Sequence, residues 1–408
     1  MNNKDIAILR NLASKYFEIA NSDKNRENIL LHKKVNDLEQ PRPIVLIDEI
    51  PWHEMKFDDE LALKCEDDFC RNIEYFLKRT IYQWKHMPAD MVVKPYFEVH
   101  KVIYSTGIGL NRIEKEHQND AKSFTFVDQL KSEDDLEKLH YEKITYDEEK
   151  TREIYNKVAN IFGDILPVKI TGEATGYGLG CKTWDDIVNF RGLDNLFYDL
   201  IERPDFMHKL AGKLTDIFLD KIRQYDELGL FDGDAYYIHS ASALTNDLHP
   251  NQEHVRAKDV WGRGLAQFFA SVSPEMHYEF DIRYMIKAME PFGLVYYGCC
   301  EPLDKKIHIL EKIPNLRKIS ITPWADIDLA AEMIKNRYVI SAKPNPSALS
   351  SPILDKDAVK KELTRIVNAC KRNGCSCDIV LKDITTVCNR PQNLFEWEKI
   401  AMDIVKNY

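Results

Sequence analysis

The chain has 408 residues, 44% of them hydrophobic, a formal net charge of −10 and a pI near 5.7. The acidic balance argues against a nucleic-acid-binding surface. No apolar run approaches the roughly 18 residues that a membrane span needs, and the polar start Met1-Asn2-Asn3-Lys4-Asp5 is unlike a leader, so the expectation is a cytoplasmic protein without a membrane partner. Nine cysteines, an odd number unevenly spaced, predict reduced thiols with a subset on a metal.

Residues 1–88 read as an N-terminal helical cap. Ile6, Leu9, Leu12, Tyr16 and Ile19 recur at helical spacing, as do Phe69, Ile73, Phe76, Leu77, Ile81 and Trp84. Between them, Pro41–Asp48 reads as a short extended piece closed by a turn at Pro51. From residue 89 the texture changes. Short apolar runs, Met91–Val99, Leu166–Gly172, Ala235–His239, Gly264–Ala270, Leu294–Cys300, Lys318–Pro323, Tyr338–Lys343 and Asp378–Ile384, alternate with amphipathic segments such as Pro204–Gln224, Pro274–Met289 and Ala358–Lys371. Eight strand candidates separated by helices predict an α/β fold, a (β/α)₈ TIM barrel over 89–408, with a doubly wound sheet as the alternative. Glu114–Arg152 is rich in charge and reads as a solvated insertion.

In a barrel, chemistry belongs where strands run out at their C-terminal ends. The residues there are His100, Glu173, His239 with Ser240, Gln267 within the fourth run, Cys299-Cys300-Glu301, Trp324 with Asp326, Lys343 with Asn345, and Lys382-Asp383. Leu294–Tyr297 reads as a buried strand, and the two thiols and the carboxylate that follow suit a soft metal better than a core. Neighbouring side chains on a strand face opposite ways, so only one thiol faces inward unless the strand ends at Gly298. His239 offers a metal ligand or a proton shuttle. Lys343 and Asn345 sit in the rigid Ala342-Lys343-Pro344-Asn345-Pro346 loop, and Lys382 offers positive charge to a developing anion. The Cys370, Cys375 and Cys377 cluster has no zinc-finger spacing and reads as structural, as do Cys65 and Cys70.

Three stretches carry a resemblance. Thr171-Gly172-Glu173-Ala174-Thr175-Gly176, Ser271-Val272-Ser273-Pro274-Glu275-Met276-His277-Tyr278-Glu279-Phe280 and Val295-Tyr296-Tyr297-Gly298-Cys299-Cys300 resemble, in order and spacing, the uroporphyrinogen decarboxylase superfamily over residues 90–408. That superfamily is a (β/α)₈ barrel and includes zinc-dependent, corrinoid-linked methyltransferases and O-demethylase components of anaerobes. The decarboxylases' Pro-Val-Trp-x-Met-Arg-Gln-Ala-Gly motif is missing, which sets heme biosynthesis aside. The family's His-x-Cys places Gly298 or Tyr297 where the histidine stands, and the late cysteine falls near Asp383, with Cys388 a few residues on.

The resemblance implies a zinc-dependent methyltransferase that moves a methyl group between a small methylated substrate and a corrinoid protein, as a monomer or homodimer. Zinc is then expected on Cys300, Cys299, Glu279 and Asp383. His239, Lys343 and Lys382 are expected to act on the reaction, and His100, Glu173, Gln267, Tyr297, Trp324 and Asn345 to line the substrate. A lyase or decarboxylase of a small carboxylic acid in the same pocket, or a barrel that binds a ligand without turnover, stand as alternatives.

Overall fold

The computed structural model describes residues 2–56, 59–116, 124–174, 179–251 and 253–408. Thr175 and Gly176 of the small-residue loop, and 117–123 of the charged insertion, lie outside the described residues. In chain order the strands are β1 (Ile44–Ile47), β2 (Phe97–His100), β3 (Val102–Ser105), β4 (Glu114–Glu116), β5 (Phe124–Phe126), β6 (Ile144–Asp147), β7 (Val168–Thr171), β8 (Tyr237–Ile238), β9 (Ala241–Ser242), β10 (Trp261–Gly264), β11 (Leu294–Tyr297), β12 (Leu316–Ile321), β13 (Val339–Ala342) and β14 (Cys377–Leu381).

The protein is α/β. Its main sheet is six-stranded and parallel, in the order β1-β14-β13-β12-β11-β10. β2 and β7 form a second parallel pair. Single parallel bridges extend the pairing from Glu173 to Phe231 and from Cys181 to Gly264. Helices Asn3–Ala20 and Asp23–Asn36 precede the sheet, and helix Asp68–His86 follows β1. Each starts on a side-chain cap, from Asn2, Ser22 and Asp67, which supplies an acceptor for a first-turn N–H that has no partner within the helix. No helix among the described residues is long and apolar enough to cross a membrane.

The extended piece Pro41–Asp48 turns out to hold β1, which pairs along its length with β14. Within the charged insertion, β6 pairs with β3 and β4 with β5, both antiparallel. Two of the expected strands are corrected. Residues 235–239 do not add to the parallel sheet. Instead β8 folds back on β9 through a two-residue turn, with φ of 47° at His239 and 65° at Ser240. Two positive φ values in succession suit the tight hairpin turn that matches the twist of its strands. The fourth strand lies earlier than Gly264–Ala270, at β10, and Gln267–Ser271 form a 3₁₀ turn. The Ala266 N–H is taken by the buried Glu301 carboxylate at 3.2 Å, so it is not offered to a neighbouring strand.

Period-two alternation sorts the main sheet into two faces. Val45, Ile47, Val295, Tyr297, Ile319, Ile321, Ile340, Ala342, Ile379 and Leu381 pack on helix residues such as Ala330, Leu363 and Trp397. Ile44, Leu46, Trp261, Leu294, Tyr296, Val339 and Val380 face the hairpin, against Ile238, Ala241 and Ala243. The hairpin face also carries charge. Lys318, fully buried, pairs with the equally buried Asp378 and donates to the Ser242 carbonyl at 2.7 Å. Asp378 also accepts from Ser341, whose hydroxyl accepts from Lys343 Nζ at 2.7 Å. Burial works against the Asp378 carboxylate, but Lys318 and Lys343 hold it below its ordinary range.

An unpaired buried charge is costly, and breaking such a pair by removing one partner costs about 3–5 kcal/mol. Asp378→Asn is therefore expected to lose about 3–5 kcal/mol of stability in denaturant unfolding; a loss below about 1 kcal/mol would contradict the account. The wild-type contribution is full above the unfolded carboxylate value of about 3.9 and is lost as pH falls through the lower folded value.

Candidate active site

Several strand ends converge on one place. The β8–β9 turn presents His239. The loop after β11 gives Cys299, Cys300 and Glu301. Lys343 follows β13, Lys382 and Asp383 follow β14, and Glu49 follows β1. Arg263 reaches the same place from within β10. All but Arg263 stand at a turn or at the C-terminal end of a parallel strand, where open sheets and barrels place their ligands.

His239 is nearly buried, stacks on Tyr296 with ring centroids 5.6 Å apart, and sets Nε2 3.1 Å from Cys299 Sγ. Burial, then Arg263, Lys343 and Lys382, hold its imidazole far below the ordinary value, so it is neutral and able to ligate or accept a proton. Cys299 Sγ lies 3.5 Å from Cys300 Sγ. Their shared hydrogen bond moves the two thiols in opposite directions. The hydrogen bond to Cys300, with burial, pushes Cys299 up, and the same bond with Lys382 pulls Cys300 down. Cys300 is the exposed member and the one inclined to thiolate.

Lys343 is buried and packs over Tyr296, its nitrogen 5.9 Å from the ring centroid. Burial brings its ammonium down to about 8, opposed by Asp378 and helped by Lys382. Burial opposes the charge on Lys382, yet Asp383 at 2.8 Å and Glu49 at 3.6 Å hold it above its ordinary range. Asp383 is thus an ion-pair partner at a positive φ of 57°, with its N–H donated to Glu49.

The other expected residues make contacts of their own. Glu279 is in the π-helical turn Tyr278–Ile282, its carboxylate 3.3 Å from His208. Tyr297 faces the helices, where its hydroxyl donates to Asp281 at 2.6 Å and meets His277 at 2.7 Å. Gln267 donates to Asp185 at 2.6 Å, and burial raises that acid to about 7. Asn345 caps the 3₁₀ turn Pro346–Ser350. Trp324 is exposed, and Glu173 makes the backbone bridge to Phe231. His100 is also exposed and hydrogen-bonds Thr171 at 3.0 Å. Cys370, Cys375 and Cys377 are buried. Arg263, Lys318, Ser320 and Glu49 were missed in the sequence. For Arg263 and Lys318 the available signal was a charge inside a strand run, which needs a buried partner or a function; Ser320 and Glu49 carry no such signal.

As placed, no group of three or more His, Cys, Asp and Glu side chains among the described residues is disposed to hold a metal ion. The nearest arrangement is His239–Cys299–Cys300, joined by two short contacts. Around a tetrahedral zinc, bond lengths of about 2.3 Å to sulfur and 2.0 Å to nitrogen put two sulfurs roughly 3.8 Å apart, and nitrogen and sulfur roughly 3.5 Å apart. The observed 3.5 and 3.1 Å fall a few tenths short. The donor types, one imidazole and two thiols, suit zinc, while their spacing as placed is tighter than a zinc shell.

Cys300 is expected to be the first of the described cysteines alkylated by iodoacetamide near neutral pH, and Lys382→Met to slow it several-fold. Time-resolved peptide mapping by mass spectrometry checks this. Earlier modification of Cys299 or Cys388 would contradict the thiolate assignment.

No protein-family model matches the chain, and no curated protein matches it. Among solved structures, a methyltransferase from Methanosarcina mazei superposes with a TM-score of 0.46 at 11% identity, covering 92% of this chain and 98% of that one. At that level the likeness says nothing of chemistry, which rests on the residues above.

Proposed function

We propose that the chain is a methyltransferase that moves a methyl group between a small methylated compound and a corrinoid carried by a partner protein, with zinc at the thiol site. The two parallel sheets are read as the wall of one (β/α)₈ barrel. The single observation that carries the reading is the convergence of a neutral imidazole and two adjacent thiols at the C-terminal edge of a parallel sheet. Cys300, Cys299 and His239 are the ligands, which leaves a fourth position for substrate. Zinc there would supply Lewis acidity toward a leaving heteroatom, or hold an acceptor sulfur as thiolate.

The chain's own residues do the rest. The hydrogen bond with Cys299 and the positive charge of Lys382 draw the Cys300 thiol down and so favour the thiolate that ligates. Tyr296 holds the His239 ring flat against the sheet and so fixes where Nε2 points. Lys343, with an ammonium near neutrality, gives a proton to the departing group or offsets its charge. Glu279 and Asp383 are left out of the ligand set, since one meets His208 and the other Lys382.

A second reading has its own support. Arg263, Lys343 and Lys382 all act on His239 with positive charge, and such a field also suits a small carboxylic acid and hence a lyase or decarboxylase. The test is transfer from a panel of small methylated compounds to cob(I)alamin, followed by the visible spectrum of the cobalt. Zinc-loaded wild type is expected to methylate cobalt with at least one of them, and Cys300→Ser and His239→Ala to fall to background. Carbon dioxide release from small acids by metal-free protein, without methyl transfer, would favour the second reading.

A further inference from the structure

We propose that Glu301 and Ser320 are positioning residues that hold the Cys299 and Cys300 thiols on one side of the chain. The proposal deepens the thiol site described above and rests on that reading for its functional meaning.

Adjacent side chains of an extended strand point to opposite faces, so two neighbouring thiols do not meet without a departure from strand geometry. Here β11 ends at Tyr297, and Gly298 follows with a φ of 104°. That φ belongs to glycine, and a Cβ at this position would stand 2.7 Å from Leu303 Cδ1 and 3.1 Å from Ser320 Cβ. The turn starts there, but a glycine only permits it. Something must hold it.

Two groups do so, one at each end of residue 299. The Cys299 N–H donates to Glu301 Oε2 at 2.9 Å, and the Cys299 carbonyl accepts from the Ser320 hydroxyl at 3.1 Å. The other Glu301 oxygen accepts from the Ala266 N–H at 3.2 Å, just past the end of β10. Glu301 is fully buried, and its carboxylate ties the β11 loop to the neighbouring strand end. Ser320 reaches in from β12 on the other side. Residue 299 is thus clamped between β10 and β12, and its thiol is left to face Cys300 at 3.5 Å. A carboxylate suits this place because both N–H donors need an acceptor. A glutamine would offer one oxygen and turn an N–H₂ toward the second donor, leaving it unsatisfied.

The test uses metal-free, full-length protein and phenylarsine oxide. This trivalent arsenical closes a ring on two thiols that face the same way. Two S–H bonds break, two arsenic–sulfur bonds form, and the oxide leaves as water. Capture is read by intact mass and by protection of Cys300 from iodoacetamide. Wild type is expected to bind one equivalent at Cys299–Cys300, and Cys300→Ser to lose it. Glu301→Gln and Ser320→Ala are expected to weaken capture about tenfold or more, the size of effect seen when groups that orient ligands are removed. Single-thiol alkylation of Cys300 should keep its wild-type rate in both variants, although the unsatisfied N–H lowers the unfolding midpoint of Glu301→Gln. A merely structural role would instead speed alkylation of both thiols. If Glu301→Gln does not fold, Ser320→Ala decides alone. Wild-type capture by the folded variants, or no capture by wild type, overturns the proposal. Because neither zinc nor methyl transfer enters the assay, a failure of the methyltransferase reading leaves this result standing.

Discussion

The buried Lys318–Asp378 pair is the constraint on which the site depends. Both groups lie in the main sheet with no access to water, so each needs the other and needs its remaining hydrogen-bonding capacity filled. Asp378 fills its capacity with Ser341, and Lys318 with the Ser242 carbonyl. That last bond reaches outside the sheet. It pins the second strand of the β8–β9 hairpin, which is also held by the Trp261 indole on the Ala243 carbonyl at 2.9 Å and by Asn36 on Ser242 at 3.0 Å. A hairpin anchored at its base has a defined tip, and the tip is His239. The imidazole near Cys299 is therefore the far end of a chain of contacts that starts with a charge pair four strands wide in its reach, from β9 through β12 and β13 to β14.

Much of the architecture could be read from the sequence. Runs at Leu294–Cys300, Lys318–Pro323, Tyr338–Lys343 and Asp378–Ile384 all overlap strands of one parallel sheet, because a strand buried on both faces is written as a near-continuous apolar stretch. The misplacements have local causes. Ala235–His239 has the composition of a strand, but a reversal at His239–Ser240 makes it a hairpin, and neither residue is a glycine that would have announced the turn. Gly264–Ala270 continues an apolar run whose backbone is diverted at Ala266 by Glu301, a residue 35 positions away. Contacts of that separation leave no trace in local composition.

The site divides in the same way. Cys299, Cys300, His239, Lys343 and Lys382 stand out as reactive types at strand ends, and the structure brings them together. Tyr297, Gln267 and Asn345 stand out equally and have other employment: a buried hydrogen bond to Asp281, a partner in Asp185, a cap. Strand parity separates Tyr296 from Tyr297, since one faces the hairpin and the other the helices. Parity is visible in sequence only once one residue's direction is known. The orientation of the thiols was legible only as two alternatives, decided by whether the strand ends before Gly298, because the contacts of Glu301 and Ser320 on residue 299 leave no local pattern.

The central claim is that His239, Cys299 and Cys300 form one soft-ligand site. X-ray absorption at the zinc edge on the zinc-reconstituted protein tests it most directly. The account predicts two sulfur neighbours at about 2.3 Å and lighter atoms at about 2.0–2.1 Å, one of them an imidazole nitrogen. A coordination shell without sulfur, or a protein that takes up no stoichiometric zinc, would contradict it.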